Sequence, residues 1–247
     1  MSETITLKVM RYDPEKHAEP IFQTYNVPYR DEWVVLDALN HIKDNLDATL
    51  TYRWSCHMAI CGSCGMTING EPKLACHAFL RDYRGKTVQV EPLDHFPIER
   101  DLVVVIDGFL DKLSSVKPYL IPKYEKPPSE GVYLQTPTQL KAFQCYTQCI
   151  DCLLCYAACP QIGLNEDFIG PAALSLAQRY NLDSRDAGRK ARADTVESNE
   201  GIWECTFAGA CSEVCPKHVN PAAAIQQMKI SASVDWFTSL LLHGGKR

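Results

Sequence analysis

The run CIDCLLCYAACP, residues 149–160, decides how this chain folds and what it holds. Its cysteines follow the C-x2-C-x2-C-x3-C-P spacing of bacterial ferredoxins, where the first three thiolates bind one iron–sulfur cluster and the fourth binds another. A second run, CTFAGACSEVCP at 205–216, keeps Cys205, Cys211, Cys215 and Pro216 in register but carries Ala208 where the second cysteine belongs. Crossed ligation between the runs gives one set of four, Cys149, Cys152, Cys155 and Cys215, suited to a 4Fe–4S cluster. The other set is Cys159, Cys205 and Cys211. Alanine cannot supply its fourth thiolate, so a corner iron is readily lost and a 3Fe–4S cluster is expected. One thiolate fewer makes that cluster less negative, and charge is one determinant of potential. An electron acceptor is expected at this end.

Upstream, SCHMAICGSCG (55–65) holds Cys56, Cys61 and Cys64, with Cys76 following. This is the plant-type C-x4-C-x2-C…C spacing of a 2Fe–2S site. Gly62 and Gly65 let the main chain wrap close to the cluster, so that amide N–H groups can point at its sulfides. A structural zinc site is the competing reading, but zinc favours paired C-x2-C knuckles. Around this loop the periodicity is that of a mixed α+β module. Ile5, Leu7 and Val9 alternate with polar residues as on a half-buried strand, and residues 21–27 form its neighbour. Val35, Leu39, Ile42 and Leu46 make a helical stripe with Asp31 as its cap. Asn69-Gly70 signals a hairpin, and TVQVEPL supplies the last strand.

The stretch 121–139 carries Pro122, Pro127, Pro128 and Pro137 without sustained periodicity, as a linker does. Thr136-Pro137-Thr138-Gln139 then has the form of a capping box with proline at the first helical position. GPAALSLAQRYN and the segment opened by Asn220-Pro221 also read as helices. The expected organisation is an N-terminal plant-type ferredoxin domain over 1–120, a linker over 121–138 and an all-α domain over 139–247. Eleven of the twelve cysteines are thereby used. Cys145 is left, expected as a small buried apolar residue.

Composition bounds the function. The 247 residues carry a net charge of −5 and no Lys/Arg stripe able to neutralise phosphates, which excludes nucleic acid as a partner. The longest apolar run, LVVVI at 102–106, is too short to span a bilayer. The N-terminal residues lack a signal-peptide apolar region, so a reducing cytoplasm is expected, where cysteines serve as metal or redox ligands. No dinucleotide-type phosphate loop and no nucleophile–base pair is present. His57, His77, His95 and His218 are scattered and read as structural or solvated. Three clusters without a substrate site describe a carrier of single electrons.

RWSCHMAICGSCGMTINGEPKLAC (53–76), CIDCLLCYAACP (149–160) and CSEVCPKHVNP (211–221) resemble the iron–sulfur subunit of succinate dehydrogenase and fumarate reductase. The resemblance covers nearly the whole chain and matches all eleven ligand positions. It implies a β-grasp ferredoxin domain followed by an α-helical ferredoxin domain. It implies a partner flavoprotein carrying FAD, where succinate and fumarate interconvert, and one or two hydrophobic membrane-anchor subunits with quinone and haem b. The chain would lie peripherally on the cytoplasmic face of the inner membrane. Ile162 and Gly163 follow the Cys-Pro where succinate dehydrogenases carry aromatic residues, so the resemblance leans to the fumarate-reductase type. In that type the residues matching Thr206, Phe207, Gln226 and Lys229 line the quinone site. Succinate oxidation as the working direction, another flavoprotein–quinone complex and a soluble ferredoxin remain alternatives.

Overall fold

The computed structural model describes residues 3–243; the extreme ends of the two expected domains, 1–2 and 244–247, lie outside them. Two compact units are resolved. The first holds the residues up to Asp107 together with Ile150–Ala158. The second holds Gly108–Cys149 and the residues from Cys159 onward.

In the first unit, β1 (Thr4–Arg11) pairs antiparallel with β2 (Ile21–Pro28). Helix α1 (Val35–Asn45) follows, then β3 (Gly65–Ile68), β4 (Glu71–Leu74) and β5 (Val88–Glu91). The sheet order is β2-β1-β5-β3-β4, with β1–β5 its parallel pair. A parallel pair needs a crossover connection, and α1 lies within it. The alternation in β1 buries Ile5, Leu7 and Val9, while α1 buries Val35, Leu36, Ala38, Leu39 and Ile42. Asn69 (φ 49°) and Gly70 (φ 79°) both take left-handed backbone between β3 and β4, as a tight primed hairpin turn requires.

Two details differ from expectation. Asp31 does not cap α1: the Asp37 carboxylate accepts from the Val34 N–H at 2.9 Å from inside the first turn, and Asp31 accepts from the Tyr29 hydroxyl. Leu46 lies just past the helix end and is exposed. The strand β5 is also not the last. Two short strands, β6 (Ile98–Arg100) and β7 (Val103–Val104), form a separate ribbon. Arg11 ties it in, donating to Asp101 at 3.0 Å, Asp47 at 2.5 Å and Thr49 at 2.8 Å. These charges tolerate burial because each is paired and hydrogen-bonded.

The chain continues through α2 (Asp107–Ser115) and α3 (Pro137–Phe143), then α4 (Leu154–Ala157) of the first unit. The second unit is completed by α5 (Pro160–Leu164), α6 (Pro171–Asn181), α7 (Arg189–Val196), α8 (Ala210–Glu213) and α9 (Pro221–His243). No strand occurs among its described residues. The capping box of α3 is present: Thr136 Oγ1 accepts from the Gln139 N–H at 3.2 Å, and Gln139 Oε1 accepts from the Thr136 N–H at 2.8 Å. Helix α6 packs on α9, and both bury small residues fully, Ala173 and Ala177 on α6 and Ala224 on α9. Arg192 is also fully buried. It forks onto Asp186 at 2.8 and 2.9 Å and donates to the Lys117 and Tyr119 carbonyls. Burial alone would raise the Asp186 carboxyl, but the donors from Arg192, Ile121 and Gly188 hold it below the usual carboxylate range.

Cys145 is exposed, contrary to expectation. It sits on the one-turn segment Gln144–Gln148, which turns Tyr146 inward, as Phe143 is, and so turns Gln144 and Cys145 out.

Candidate metal centres

The 56–64 loop has neither helix nor strand. Left-handed backbone at His57 (φ 56°), Ala59 (φ 55°) and Gly62 (φ 75°) coils it and aims main-chain N–H groups at sulfur. The N–H groups of Met58, Ile60 and Cys61 donate to Cys56 Sγ at 3.4, 3.4 and 3.3 Å. That of Ala59 donates to Cys76 Sγ at 3.3 Å, and that of Cys56 to Cys61 Sγ at 3.5 Å. Such donors favour the thiolate form that iron ligands must take. The Ser63 hydroxyl and the Cys56 amide bring the Cys61 thiol down to about 6. Burial pushes Cys64 up to about 12, so that thiol needs a metal's positive charge to ionise in its apolar setting. Cys76 is placed by the one-turn segment Ala75–His77, and the Ala75 N–H donates to the Cys64 carbonyl at 2.9 Å. His57 Nε2 lies 2.9 Å from Asp37 Oδ1, which holds the loop to α1. Three of the four predicted sulfurs, those of Cys56, Cys61 and Cys76, thus accept from the amides of one loop, and Cys64 is tied to the Cys76 segment through its carbonyl.

In the second unit, Cys159, Cys205 and Cys211 line one recess of about 360 Å³ together with Ala208, Phe168 and Ile225. Burial raises the Cys159 thiol and pushes Cys211 up to about 11, and repulsion from the neighbouring Cys205 adds to both. Cys149 and Cys215 pack against one apolar cluster of Tyr146, Val219 and Ala224. The fourth cysteine of each run therefore lies with the first cysteine of the other. Cys152 and Cys155 belong to the first unit. Among the described residues, no group of three or more His, Cys, Asp or Glu side chains gathers as around a single ion. The fit to clusters rests on the sulfur-directed amides and on the recess that three thiols share.

Thr206 and Phe207 line the same recess, and both are exposed. Gln226 and Lys229 stand one turn apart on α9. Lys229 Nζ donates to the Cys205 carbonyl at 2.7 Å, and Gln226 Nε2 is buried with no hydrogen-bond partner. The Lys229–Cys205 contact is absent from the sequence reading, as are the apolar walls Phe168, Pro171, Ala222 and Ile225. Each depends on long-range packing, and no local pattern signals it.

Residues 6–111 match the family described as 2Fe-2S iron-sulfur cluster binding domain, and residues 146–219 match the 4Fe-4S dicluster domain. The chain is 53% identical over 245 residues to a fumarate reductase iron-sulfur subunit of Mycobacterium tuberculosis, covering 99% of each chain. It is 37% identical over 233 residues to a mitochondrial succinate dehydrogenase [ubiquinone] iron-sulfur subunit of Candida glabrata, covering 93% of this chain and 92% of that one. Among solved structures it resembles a chain of the Mycobacterium smegmatis Sdh1 complex in the apo form. The TM-score is 0.86 at 26% identity, over 96% of this chain and 98% of the other.

Proposed function

The chain belongs to the iron–sulfur subunit family of fumarate reductase and succinate dehydrogenase, and from that premise we propose how its thiols divide the work. It is an electron-transfer subunit of that oxidoreductase complex and has the 2Fe–2S and 4Fe–4S cluster domains. Cys56, Cys61, Cys64 and Cys76 hold the 2Fe–2S cluster. Cys149, Cys152, Cys155 and Cys215 hold the 4Fe–4S cluster, and Cys159, Cys205 and Cys211 hold a 3Fe–4S cluster. The observation that carries this division is the recess that gathers Cys159 of one run with Cys205 and Cys211 of the other, with Ala208 in its wall. When bound, these clusters supply one-electron redox chemistry over a range of potentials.

The chain's own residues do the rest. The amides of residues 56–61 offset thiolate charge. Ala208 withholds a ligand, which raises the potential at that end and makes it the exit toward quinone. Thr206, Phe207, Gln226 and Lys229 form the near wall of the quinone site. The Lys229 ammonium, already directed at the ligand loop, donates to a quinone carbonyl and stabilises the charge that develops there. The unpaired Gln226 Nε2 offers a second donor.

Two exposed apolar surfaces favour the partner assignment. Trp54, Met58 and Ile60 are exposed on or beside the first cysteine loop, the face offered to an FAD-bearing flavoprotein. Ile230, Val234, Phe237 and Leu241 are exposed along α9 at helical spacing, the face offered to hydrophobic anchor subunits, with haem b on the anchors. No helix of the described residues is long and apolar enough to cross a membrane; the chain attaches peripherally, on the cytoplasmic side. The greater identity to fumarate reductase relatives favours that type, while succinate oxidation runs through the same ligands.

The reading is tested with Lys229→Leu in the purified complex. Quinone-linked turnover should fall by about tenfold or more, as for loss of a charged donor worth roughly 1.5–3 kcal/mol. Succinate oxidation by an artificial acceptor, and the iron content, should stay near the parent values. Equal loss in both assays would remove Lys229 from the quinone site.

A further inference from the structure

We propose that Gly62 and Gly65 are spacing residues. They set how closely the 2Fe–2S loop approaches the Cys152 main chain, and thereby the rate of single-electron exchange between the groups the two cysteine sets hold. The proposal rests on the ligand assignment above and adds a duty to glycines that the sequence explains by their own cluster alone.

All the residues concerned lie in the first unit. A Cβ on Gly62 would stand 2.9 Å from Cys152 Cβ, 2.9 Å from the Ile150 carbonyl oxygen and 3.1 Å from Cys152 Cα. A Cβ on Gly65 would stand 2.9 Å from the Cys152 carbonyl oxygen, 3.3 Å from Leu154 Cδ2 and 3.4 Å from Leu93 Cδ1. The nearest of these contacts are to main chain or to a Cβ, which cannot swing aside as the end of a long side chain can. Any side chain at either position must therefore push the two segments apart. Gly62 also needs its left-handed backbone, φ 75°, but Gly65 has no positive φ. Room against Cys152 is what Gly65 provides. Glycines elsewhere show the contrast: Gly70 and Gly85 have left-handed φ with nothing within 4 Å of a Cβ, as plain turn residues do.

Cys61 and Cys152 line one recess of about 680 Å³ with Ser63 and Leu153. Along the chain, more than seventy residues separate Cys76, the last cysteine of the first set, from Cys149. The useful route is therefore the through-space step at Gly62 and Gly65. Tunnelling decays exponentially with distance, so a main-chain contact without a side chain between gives the shortest such step. In the exchange, one group is oxidised by one electron as the other is reduced by one. No bond forms or breaks, and no proton is required.

The test uses the purified complex carrying Gly65→Ala or Gly62→Ala. Gly108→Ala controls for an added methyl group, since nothing lies within 4 Å there, and Gly70→Ala controls for the left-handed backbone. Iron content, each cluster's EPR signal and midpoint potential, the magnetic relaxation enhancement between the two reduced clusters, and freeze-quench electron exchange are measured. Gly65→Ala and Gly62→Ala should keep both signals and potentials, weaken the relaxation enhancement and slow the exchange several-fold; both controls should match the parent. Unchanged enhancement and exchange in Gly65→Ala, with both clusters present, would overturn the spacing role. So would loss of the 2Fe–2S signal in both glycine variants, since the glycines would then serve only their own cluster. Cys152→Ser keeps the two failures apart: an unaltered 4Fe–4S signal in that variant would sink the ligand assignment itself, whatever the glycines do.

Discussion

Asp151 and Leu153 in the first bacterial-type run, and Phe207 and Gly209 in the second, hold left-handed backbone at the same two positions (φ 51° and 70°, φ 62° and 84°). Each run then enters a one-turn helix, α4 or α8, and reaches its last cysteine and proline. Between the paired left-handed residues stands Cys152 in one run and Ala208 in the other. The loop shape that carries a cysteine in the first run is thus kept where alanine stands in the second. Under the ligand assignment proposed above, ligand number and loop shape are separable, and one side chain sets the first without disturbing the second. Surroundings differ as well. The Cys152 main chain is pressed against Gly62 and Gly65, whereas Ala208 is exposed at the wall of its recess.

The largest effect is expected when the first run is made a copy of the second. Cys152→Ala should cost the 4Fe–4S site one iron per complex and give a second oxidised 3Fe–4S EPR signal, with the 2Fe–2S signal unchanged. Complete loss of that cluster would show that the first run depends on its second thiolate for shape, and the equivalence of the two loops would fail.

A smaller effect is expected in the second run. The second run uses Gly209 where the first tolerates Leu153 in left-handed backbone. Gly209→Ala meets no atom within 4 Å, so its cost should be the conformational one alone, about 1–2 kcal/mol. Thermal unfolding of the complex should fall slightly, with iron content and all EPR signals retained. Loss of the 3Fe–4S signal would mean that glycine serves the cluster and not only the turn.

Much of this was legible because ligand spacing and turn chemistry are local. The cysteine registers, the Asn69-Gly70 hairpin, the Thr136 capping box and the Pro221 helix start are each written within a few residues. What escaped depends on neighbours distant in sequence or on very short elements. Asp37 took over the cap expected of Asp31 by reaching back to Val34 from inside the helix. The strands β6 and β7 are too short to show alternation. Cys145 turned outward because Phe143 and Tyr146 claimed the inward positions of a tight turn. The two cluster domains could be read from cysteine spacing, but the Lys229 bond to the Cys205 carbonyl and the approach of Cys152 to two glycines could not. Each joins segments that only the folded chain brings together.

In the proposed ligand assignment, Ala208 alone withholds the fourth ligand from an otherwise complete site. That assignment is tested most directly by Ala208→Cys in the purified complex, with EPR and iron counting. The oxidised 3Fe–4S signal should be lost, one iron gained and the 2Fe–2S signal unchanged, with a lower potential at that cluster because the added thiolate brings negative charge. Quinone-linked turnover should slow while every original ligand remains. Retention of the 3Fe–4S signal and the original iron content, with the new cysteine recovered as a free thiol, would show that residue 208 does not face the vacant ligand position.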